Sequence, residues 1–395
     1  MDTLEPVARE APSCLDHLAF RPEHVMLRDQ LRRFVETEIK PVAAAWEETG
    51  SVPREVLRRM GSLGFLGIRY EEAHGGAALD TLATAILAEE LGRSTFGGFA
   101  ITVLVHTDMA SPHLANGGTE AQRARWMPGI IAGEIITAVA VTEPDAGSDV
   151  AGLRTAARRD GDDYVLNGTK MYITNGVLAD LVFVAARTDP HAKGSRGISI
   201  FAVERGTPGF SVGRALDKQG WRSSDTAELV FDECRVPAAN RLGGENRGFY
   251  AIMRNFQNER IVLGAQAMGE AQAMIALTLD WVRQRRAFGV TLWDKQAIRQ
   301  RLSMLSARVA AARQLVYHAA WLDGLGQDCT LQVSQVKALC GELVNEVAYA
   351  CQQFHGGMGY LRESAIERMV RDARVQSIGG GATEVMLEEV AKRLG

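Results

Sequence analysis

The stretch that decides the fold is residues 248–286, GFYAIMRNFQNERIVLGAQAMGEAQAMIALTLDWVRQRR, which contains no proline. If it is helical throughout, it is about 60 Å long at 1.5 Å per residue. Two more segments with helical spacing follow it, residues 296–325 and 331–353, and a Gly-Gly pair ends the second. Long helices with short connections predict a C-terminal four-helix bundle over residues 244–395.

Two further blocks precede this bundle. Residues 1–134 are predicted to form a helical domain, because their apolar residues recur at helical spacing. Residues 135–243 contain short β-type runs without intervening helices, which predicts a small antiparallel barrel or sandwich rather than a doubly wound sheet. Within that block Asn167-Gly168 separates two apolar runs and predicts a hairpin with a type I′ turn. The predicted fold class is therefore α+β. The first predicted helix has the core face Val25, Leu27, Leu31, Phe34, Val35 and Ile39.

The composition is that of an ordinary globular protein. The 395 residues are 46% hydrophobic and carry a net charge of −4, so nothing indicates a nucleic-acid-binding surface. The sequence contains no run of 18 apolar residues, so it predicts no membrane span. The N-terminal MDTLEPVAREAPSCLD is acidic and lacks an apolar centre, which argues against a secretory signal or a mitochondrial transit peptide. The five cysteines are scattered without a CxxC pair, so we expect a reducing, cytoplasmic location.

Several common chemistries have no motif in this chain. No GxGxxG follows a predicted strand, and GxxxxGK[ST], HExxH and GxSxG are all absent. The eight histidines show no spacing typical of metal ligands. The sequence therefore predicts neither a Rossmann dinucleotide site, nor a P-loop, nor a metal centre.

Two neighbouring motifs carry groups that could bind a cofactor. Residues 141–149, VTEPDAGSD, are typical of a strand end entering a loop rich in hydroxyl and free backbone N–H groups. Such a loop can hold the pyrimidine edge of a flavin, which presents carbonyl oxygens and ring nitrogens. Residues 167–176, NGTKMYITNG, add an aromatic ring at Tyr172 and a hydroxyl at Thr174. Either motif alone would be read as a polar turn or as strand packing, but their combination favours a cofactor.

Three later segments complete a family pattern. They are RQRRAFG at 283–289, QFHGGMGY at 353–360 and RDARVQSIGGGATE at 371–384. From about residue 24 to its end, the chain resembles the acyl-CoA dehydrogenase family, with these motifs in family order. The resemblance implies FAD as cofactor, α,β-dehydrogenation of an acyl-CoA thioester, an electron-transfer flavoprotein as electron acceptor, and a homo-oligomer, most simply a tetramer. It also implies that the arginine and phenylalanine of the first segment reach the FAD of a neighbouring subunit.

The resemblance implies site residues one by one. The implied FAD-binding residues are Val139, Val141, Thr142, Gly147, Ser148, Tyr172, Thr174, Arg285, Phe288, Gln296, Gln353, Gly356, Gly357 and Glu384. The implied substrate-binding residues are Ser148, Tyr250, Gln257, Arg260 and Gly381.

The catalytic base is the point where the chain departs from most of the family. Most members carry a glutamate at the position of Gly380, whereas the long-chain and isovaleryl branches place it on a bundle helix, at the position of Glu259. The resemblance therefore implies Glu259 as the base, with a pKa raised by burial. The backbone N–H of Gly380 would still hold the thioester oxygen, because a backbone donor survives loss of the side chain. Without the resemblance, Glu259-Arg260 would read as a surface ion pair.

Two other residues depart from the pattern. Ala382 replaces a threonine that usually contacts FAD, and Gly379 replaces the usual tyrosine, which removes bulk beside the thioester. That space would admit a branched chain or merely loosen the loop, so the predicted substrate is a long-chain or branched acyl-CoA. Two alternatives stay open. The first is a flavin monooxygenase or nitroalkane-oxidase-like enzyme of the same fold, which is favoured if Glu259 points away from the flavin. The second is a catalytically silent acyl-CoA-binding homologue. A glutaryl-CoA type is disfavoured, since it keeps the C-terminal glutamate.

Overall fold

The computed structural model describes residues 17–192 and 194–395, so the acidic N-terminal run lies outside the described residues. The chain forms a helical domain, then a β-sheet, then a second set of helices. The predicted α+β arrangement is therefore confirmed. The change from helices to strands falls between Ile131 and Thr137, and the change back falls between Leu242 and Gly248.

The N-terminal helices surround one largely buried helix. They are α1 (Pro22–Phe34), α2 (Ala44–Thr49), α3 (Arg54–Ser62), α4 (Thr81–Gly92), α5 (Gly97–Leu104), α6 (Ser111–Gly117) and α7 (Glu120–Ile131). Every residue of α4 is buried, because it packs against the C-terminal helices as well as against α1. A π-helical turn continues α1 over Val35–Ile39, and another, Val105–Ala110, links α5 to α6. Most of the predicted core face of the first helix is buried, from Leu31 to Ile39.

The middle domain is one sheet with a buried core on each face. Its strands are β1 (Thr137–Ala140), β2 (Ala156–Asp160), β3 (Asp163–Thr174), β4 (Leu181–Arg187), β5 (Ile198–Glu204), β6 (Phe210–Ala215), β7 (Thr226–Pro237) and β8 (Arg241–Leu242). The order is β6-β7-β3-β2-β4-β5-β8, and most pairs are antiparallel as predicted. The exceptions are β1, which pairs with β4 in parallel, and one parallel bridge between β2 and β4.

The predicted hairpin at Asn167-Gly168 is wrong. These residues lie inside the continuous strand β3, where the register against β7 shifts between Leu166 and Gly168. The pair forms a bulge: the Asn167 amide donates to Glu233 Oε1 at 2.8 Å, and Asn167 Oδ1 accepts from the Glu233 N–H at 2.9 Å. A Cβ on Gly168 would come within 2.6 Å of Thr155 Oγ1. Close approach of a neighbouring strand therefore requires this glycine, whereas the tight turn lies between β2 and β3.

The C-terminal helices confirm the predicted bundle. They are α8 (Gly248–Gln284), α9 (Gln296–Gly324), α10 (Thr330–His355), α11 (Ala365–Ala373) and α12 (Thr383–Leu394). A short ribbon of β9 (Arg286–Ala287) and β10 (Val290–Thr291) follows α8. In the described part of the chain, α8 alone is long and apolar enough to cross a membrane, but 83% of its most apolar window is buried inside the protein. It shares one hydrophobic core with α4, α9 and α10.

Candidate active site

Glu259 lies in the fourth turn of α8 and is only 7% exposed. One carboxylate oxygen accepts a hydrogen bond of 2.9 Å from Asn255 Nδ2, one turn earlier on the same helix. Burial raises the pKa of the Glu259 carboxyl to about 8, because loss of hydration outweighs the Asn255 hydrogen bond and the charge of Arg260. A carboxyl with a pKa near neutral pH is suited to removing a weakly acidic proton.

The π-helical turn Val105–Ala110 fixes the surroundings of Glu259. Asn255 Nδ2 also donates to Met109 O at 2.9 Å, and Asn258 Nδ2 donates to Asp108 O at 2.9 Å. The Asp108 side chain is buried and pairs with Arg69 at 3.0 Å. Two backbone carbonyls of one helical segment thus hold two amide side chains of another. Sequence reasoning missed these residues, although an Asn pair on an apolar helix face is a detectable signal.

The glycine segment near the C-terminus meets α8 at this point. Gly380 has φ +65° and Gly381 has φ +105°, both in the region that favours glycine. A Cβ on Gly380 would overlap the Cδ1 atom of Leu263, one turn after Glu259, and a Cβ on Gly381 would lie 3.6 Å from Arg260 Nε. The structure therefore brings the glycine segment against Arg260 and Leu263, which lie next to Glu259 and one turn after it on α8. In this conformation the end of the Leu263 side chain occupies the space that a Cβ at position 380 would take.

The loop over residues 144–149 rests on a buried ion pair. The Glu143 carboxylate accepts from Lys170 Nζ at 2.8 Å and from the N–H groups of Arg154 and Thr155 at 2.6 and 2.8 Å. Lys170 Nζ also donates to Val141 O at 3.0 Å, and the Met171 N–H donates to Thr142 O at 2.9 Å. These bonds fix the loop to β3, next to Tyr172 and Thr174.

The groups on this side of the sheet fit a flavin. Tyr172 has φ +60° and is 67% exposed, which is unusual for an aromatic residue that has no external partner. Thr174 is half-buried, and Gly147 and Ser148 are exposed at the tip of the loop. A Cβ on Gly147 would meet no atom of the chain within 4 Å, so packing within the protomer does not require glycine there. Exposed hydroxyls, free N–H groups and an unpacked ring make a suitable donor set for the isoalloxazine.

A second group of the implied FAD residues lies at the other end of α8. Arg285 follows the helix, about 38 Å from Glu259 at 1.5 Å per residue. Trp281 Nε1 donates to Phe354 O at 3.1 Å and its ring stacks on His355, which brings the end of α8 to the end of α10. This far group consists of Arg285, Phe288, Gln296, Gln353, Gly356 and Gly357, all of which are exposed. Within one protomer this far group therefore lies well away from Glu259.

Four implied residues lie elsewhere. The Gln257 amide donates to Thr330 Oγ1 at 3.1 Å and is therefore engaged with the start of α10. Tyr250 is exposed in the first turn of α8, and Glu384 is exposed in the first turn of α12, where its charge complements the helix dipole. Val139 packs between two hydrophobic cores. Among residues 17–192 and 194–395, no three His, Cys, Asp or Glu side chains are grouped to hold a metal ion.

Comparison with known proteins gives matches along almost the whole chain. Models of the acyl-CoA dehydrogenase N-terminal, middle and C-terminal domains match residues 21–134, 138–234 and 246–395. The mitochondrial long-chain specific acyl-CoA dehydrogenase of Rattus norvegicus is 41% identical, over 95% of this chain and 87% of its own length. The mitochondrial isovaleryl-CoA dehydrogenase of Pongo abelii is 37% identical, over 92% and 86%. The crystal structure of an acyl-CoA dehydrogenase from Geobacillus kaustophilus is similar with a TM-score of 0.92 at 40% identity, over 96% of this chain and all of that one.

Proposed function

Because the chain belongs to the acyl-CoA dehydrogenase family of FAD-dependent oxidoreductases, we propose that it oxidises a long-chain or branched acyl-CoA to the trans-2-enoyl-CoA, with Glu259 as the base. The observation that carries this proposal is the position of Glu259: it is buried on α8 next to Arg260 and one turn before Leu263, the residues that meet a glycine segment without a carboxylate of its own. FAD, when bound, accepts the β-hydrogen as hydride.

The chain's own residues would handle the proton and the developing charge. Ionised Glu259 removes the α-proton, and the Asn255 amide holds the carboxylate in place from one side. The Gly380 N–H makes no hydrogen bond to another protein group in the described part of the chain and is free to donate to the thioester oxygen. That donor stabilises the enolate as negative charge moves onto the oxygen.

The proposed substrate class rests on the space around the glycines. A Cβ on Gly379 would make ordinary contact with Val375, at 3.6 and 3.7 Å, and the glycine leaves out the bulk that a tyrosine would add here. The relatives named for long-chain and isovaleryl substrates support the same class. We propose an electron-transfer flavoprotein as electron acceptor and a cytoplasmic location.

A homo-oligomer, most simply a tetramer, is also part of the proposal. Large apolar side chains stand in solvent around the far group, with Phe288 95% exposed and Tyr360 83% exposed. A Cβ on Gly357 would meet no atom of the chain within 4 Å, and its φ is not one that demands glycine. A neighbouring protomer and its cofactor would cover these residues and explain the glycine.

One experiment tests the reaction class. Anaerobic flavin reduction by a panel of straight and branched acyl-CoAs, together with oxygen consumption by the reduced enzyme, should show reduction by at least one long or branched member and slow reaction with oxygen. Fast oxygen consumption would favour the monooxygenase alternative, which the burial of Glu259 beside Gly380 disfavours. Acyl-CoA binding without reduction would favour the silent homologue.

A further inference from the structure

Lys337 is a buried lysine without a carboxylate partner. It lies on α10 and is 2% exposed, and no Asp or Glu oxygen of the described residues lies within 4.0 Å of its ammonium group. Its Nζ donates instead to two backbone carbonyls, Gln376 O at 2.6 Å and Gly381 O at 3.0 Å. Burial of an ammonium group is unfavourable, and hydrogen bonds to carbonyl oxygens are the compensation available here.

These two carbonyls lie on either side of Gly380. One ammonium group therefore holds both ends of the segment that carries the proposed oxyanion donor. The lysine stem lies against the same segment, since a Cβ on Gly380 would be 3.7 Å from Lys337 Cε. A segment with two consecutive glycines at positive φ has little conformational preference of its own, so external contacts must fix the direction of its N–H.

Lys337 is the first of three residues on α10 that pack against or bond to residues 373–381. One turn later, a Cβ on Gly341 would come within 2.7 Å of Gln376 O, so glycine permits close approach of the backbone. Another turn later, Asn345 Nδ2 donates to Ala373 O at 3.0 Å. The spacing of four residues places all three on one face of the helix. Of these three residues, Lys337 alone donates a hydrogen bond to Gly381, the residue that directly follows Gly380.

We propose that Lys337 is a positioning residue for the reaction, because it fixes the direction of the Gly380 N–H by holding the carbonyls of Gln376 and Gly381. This inference rests on the proposed function. A displacement of about 1 Å in a positioned group can lower a rate about 100-fold, and loss of a whole oxyanion donor costs a similar factor. Because Gly380 keeps its N–H and only the direction of that N–H is disturbed, we expect loss of the two hydrogen bonds to lower the rate of flavin reduction by less than this, about 30-fold.

The test compares Lys337→Met, which keeps the length of the stem but removes both donors, with Asn345→Leu as matched control. The control removes a bond of the same kind, from the same helix to the same chain segment, away from Gly380. At saturating acyl-CoA, reduction should slow about 30-fold in Lys337→Met and less than threefold in Asn345→Leu. The concentration for half-maximal rate should change less than threefold in both, because CoA contacts are untouched.

Two further readouts do not depend on turnover. Hydrogen exchange of the peptide spanning residues 376–382 should accelerate in Lys337→Met and stay at the wild-type rate in Asn345→Leu. A 3-thia acyl-CoA loses its α-proton but cannot lose a β-hydride, so it should bind about tenfold more weakly to Lys337→Met, with CoA itself unaffected. If Lys337→Met does not fold, Lys337→Gln, which keeps one shorter donor, should show the same changes at smaller size.

The outcomes separate this inference from the proposed function. If the wild type is reduced by no acyl-CoA, the proposed function fails, and unchanged exchange in Lys337→Met would then overturn the Lys337 inference separately. If the wild type is reduced but Lys337→Met matches it in rate, analogue binding and exchange, the Lys337 inference alone is overturned. Equal losses in Lys337→Met and Asn345→Leu would also overturn it, since they would indicate general loosening of the segment.

Discussion

Replacing Gly380 with alanine should damage the site through two separate effects. The new Cβ would lie inside 3.0 Å of Leu263 Cδ1, where real Cβ atoms essentially never lie, so either the leucine or the loop must move. Overpacking of this kind costs about 1–3 kcal/mol. The φ of +65° adds about 1–2 kcal/mol for a residue with a Cβ. The sum, about 2–5 kcal/mol, is enough to shift the segment by roughly 1 Å, which would slow reduction about 100-fold.

A double-mutant cycle separates the two effects. Leu263→Ala in the Gly380→Ala background removes the overlap but not the backbone strain, so the double variant should be reduced about tenfold faster than Gly380→Ala alone. Rates are measured by anaerobic stopped-flow absorbance with the best acyl-CoA, and folding is checked by FAD content and Tm. Gly380→Ala with the wild-type rate, or no coupling to Leu263, would refute the account of the occupied side-chain position.

Three further predictions follow from the same contacts. If Glu259 is the base, its ionised form is the active one, and its pKa of about 8 predicts that kcat/KM rises with pH up to about 8 and then levels. A profile already flat from pH 6 would contradict this assignment. The pKa of Glu259 in the folded protein lies above its ordinary value of 4.5, so the stability contributed by the protonated carboxyl is fully present below pH 4.5 and is lost as pH rises through about 8. Glu259→Gln should therefore raise Tm relative to wild type at pH 9 but not at pH 5. Equal shifts at the two pH values would argue against a buried carboxyl. Arg285→Ala should weaken FAD retention in the oligomer at least tenfold, measured by flavin release on dilution, while far-ultraviolet circular dichroism is unchanged; full retention would contradict a shared cofactor site.

The long helices could be predicted from the sequence because their signals are local. Residues 248–286 lack proline, and the observed helix α8 ends only two residues earlier, at Gln284. The predicted hairpin at Asn167-Gly168 is wrong because the contacts that decide the structure there are not local. The same two residues that favour a tight turn also suit a bulge, and the choice depends on Thr155 and Glu233, which other strands bring alongside. No local pattern contains that information.

The candidate site, too, could be predicted from the sequence only in part. The motif order indicated the flavin loop, Tyr172 and the far group around Arg285, and the resemblance singled out Glu259. The contacts that position the Glu259 carboxylate could not be predicted, because its partner Asn255 is held by a π-helical turn about 146 residues earlier in the chain. The space taken by Leu263 beside Gly380 likewise depends on two helical segments that meet only in the folded protein. A raised pKa alone would not single out Glu259, because the pKa of Glu270 is also raised to about 8.

Glu270 provides the comparison that tests the central claim most directly. It lies on the same helix, is also buried, accepts a 2.8 Å hydrogen bond from Gln266 one turn earlier, and has a pKa also raised to about 8 by burial. It differs from Glu259 in position, about 16 Å further along α8. The measurement is the anaerobic rate of flavin reduction by acyl-CoA in Glu259→Gln and Glu270→Gln, with FAD content and CoA affinity matched. We predict a loss of at least 1,000-fold in Glu259→Gln and less than fivefold in Glu270→Gln. Equal rates in the two variants, or the larger loss in Glu270→Gln, would contradict Glu259 as the base.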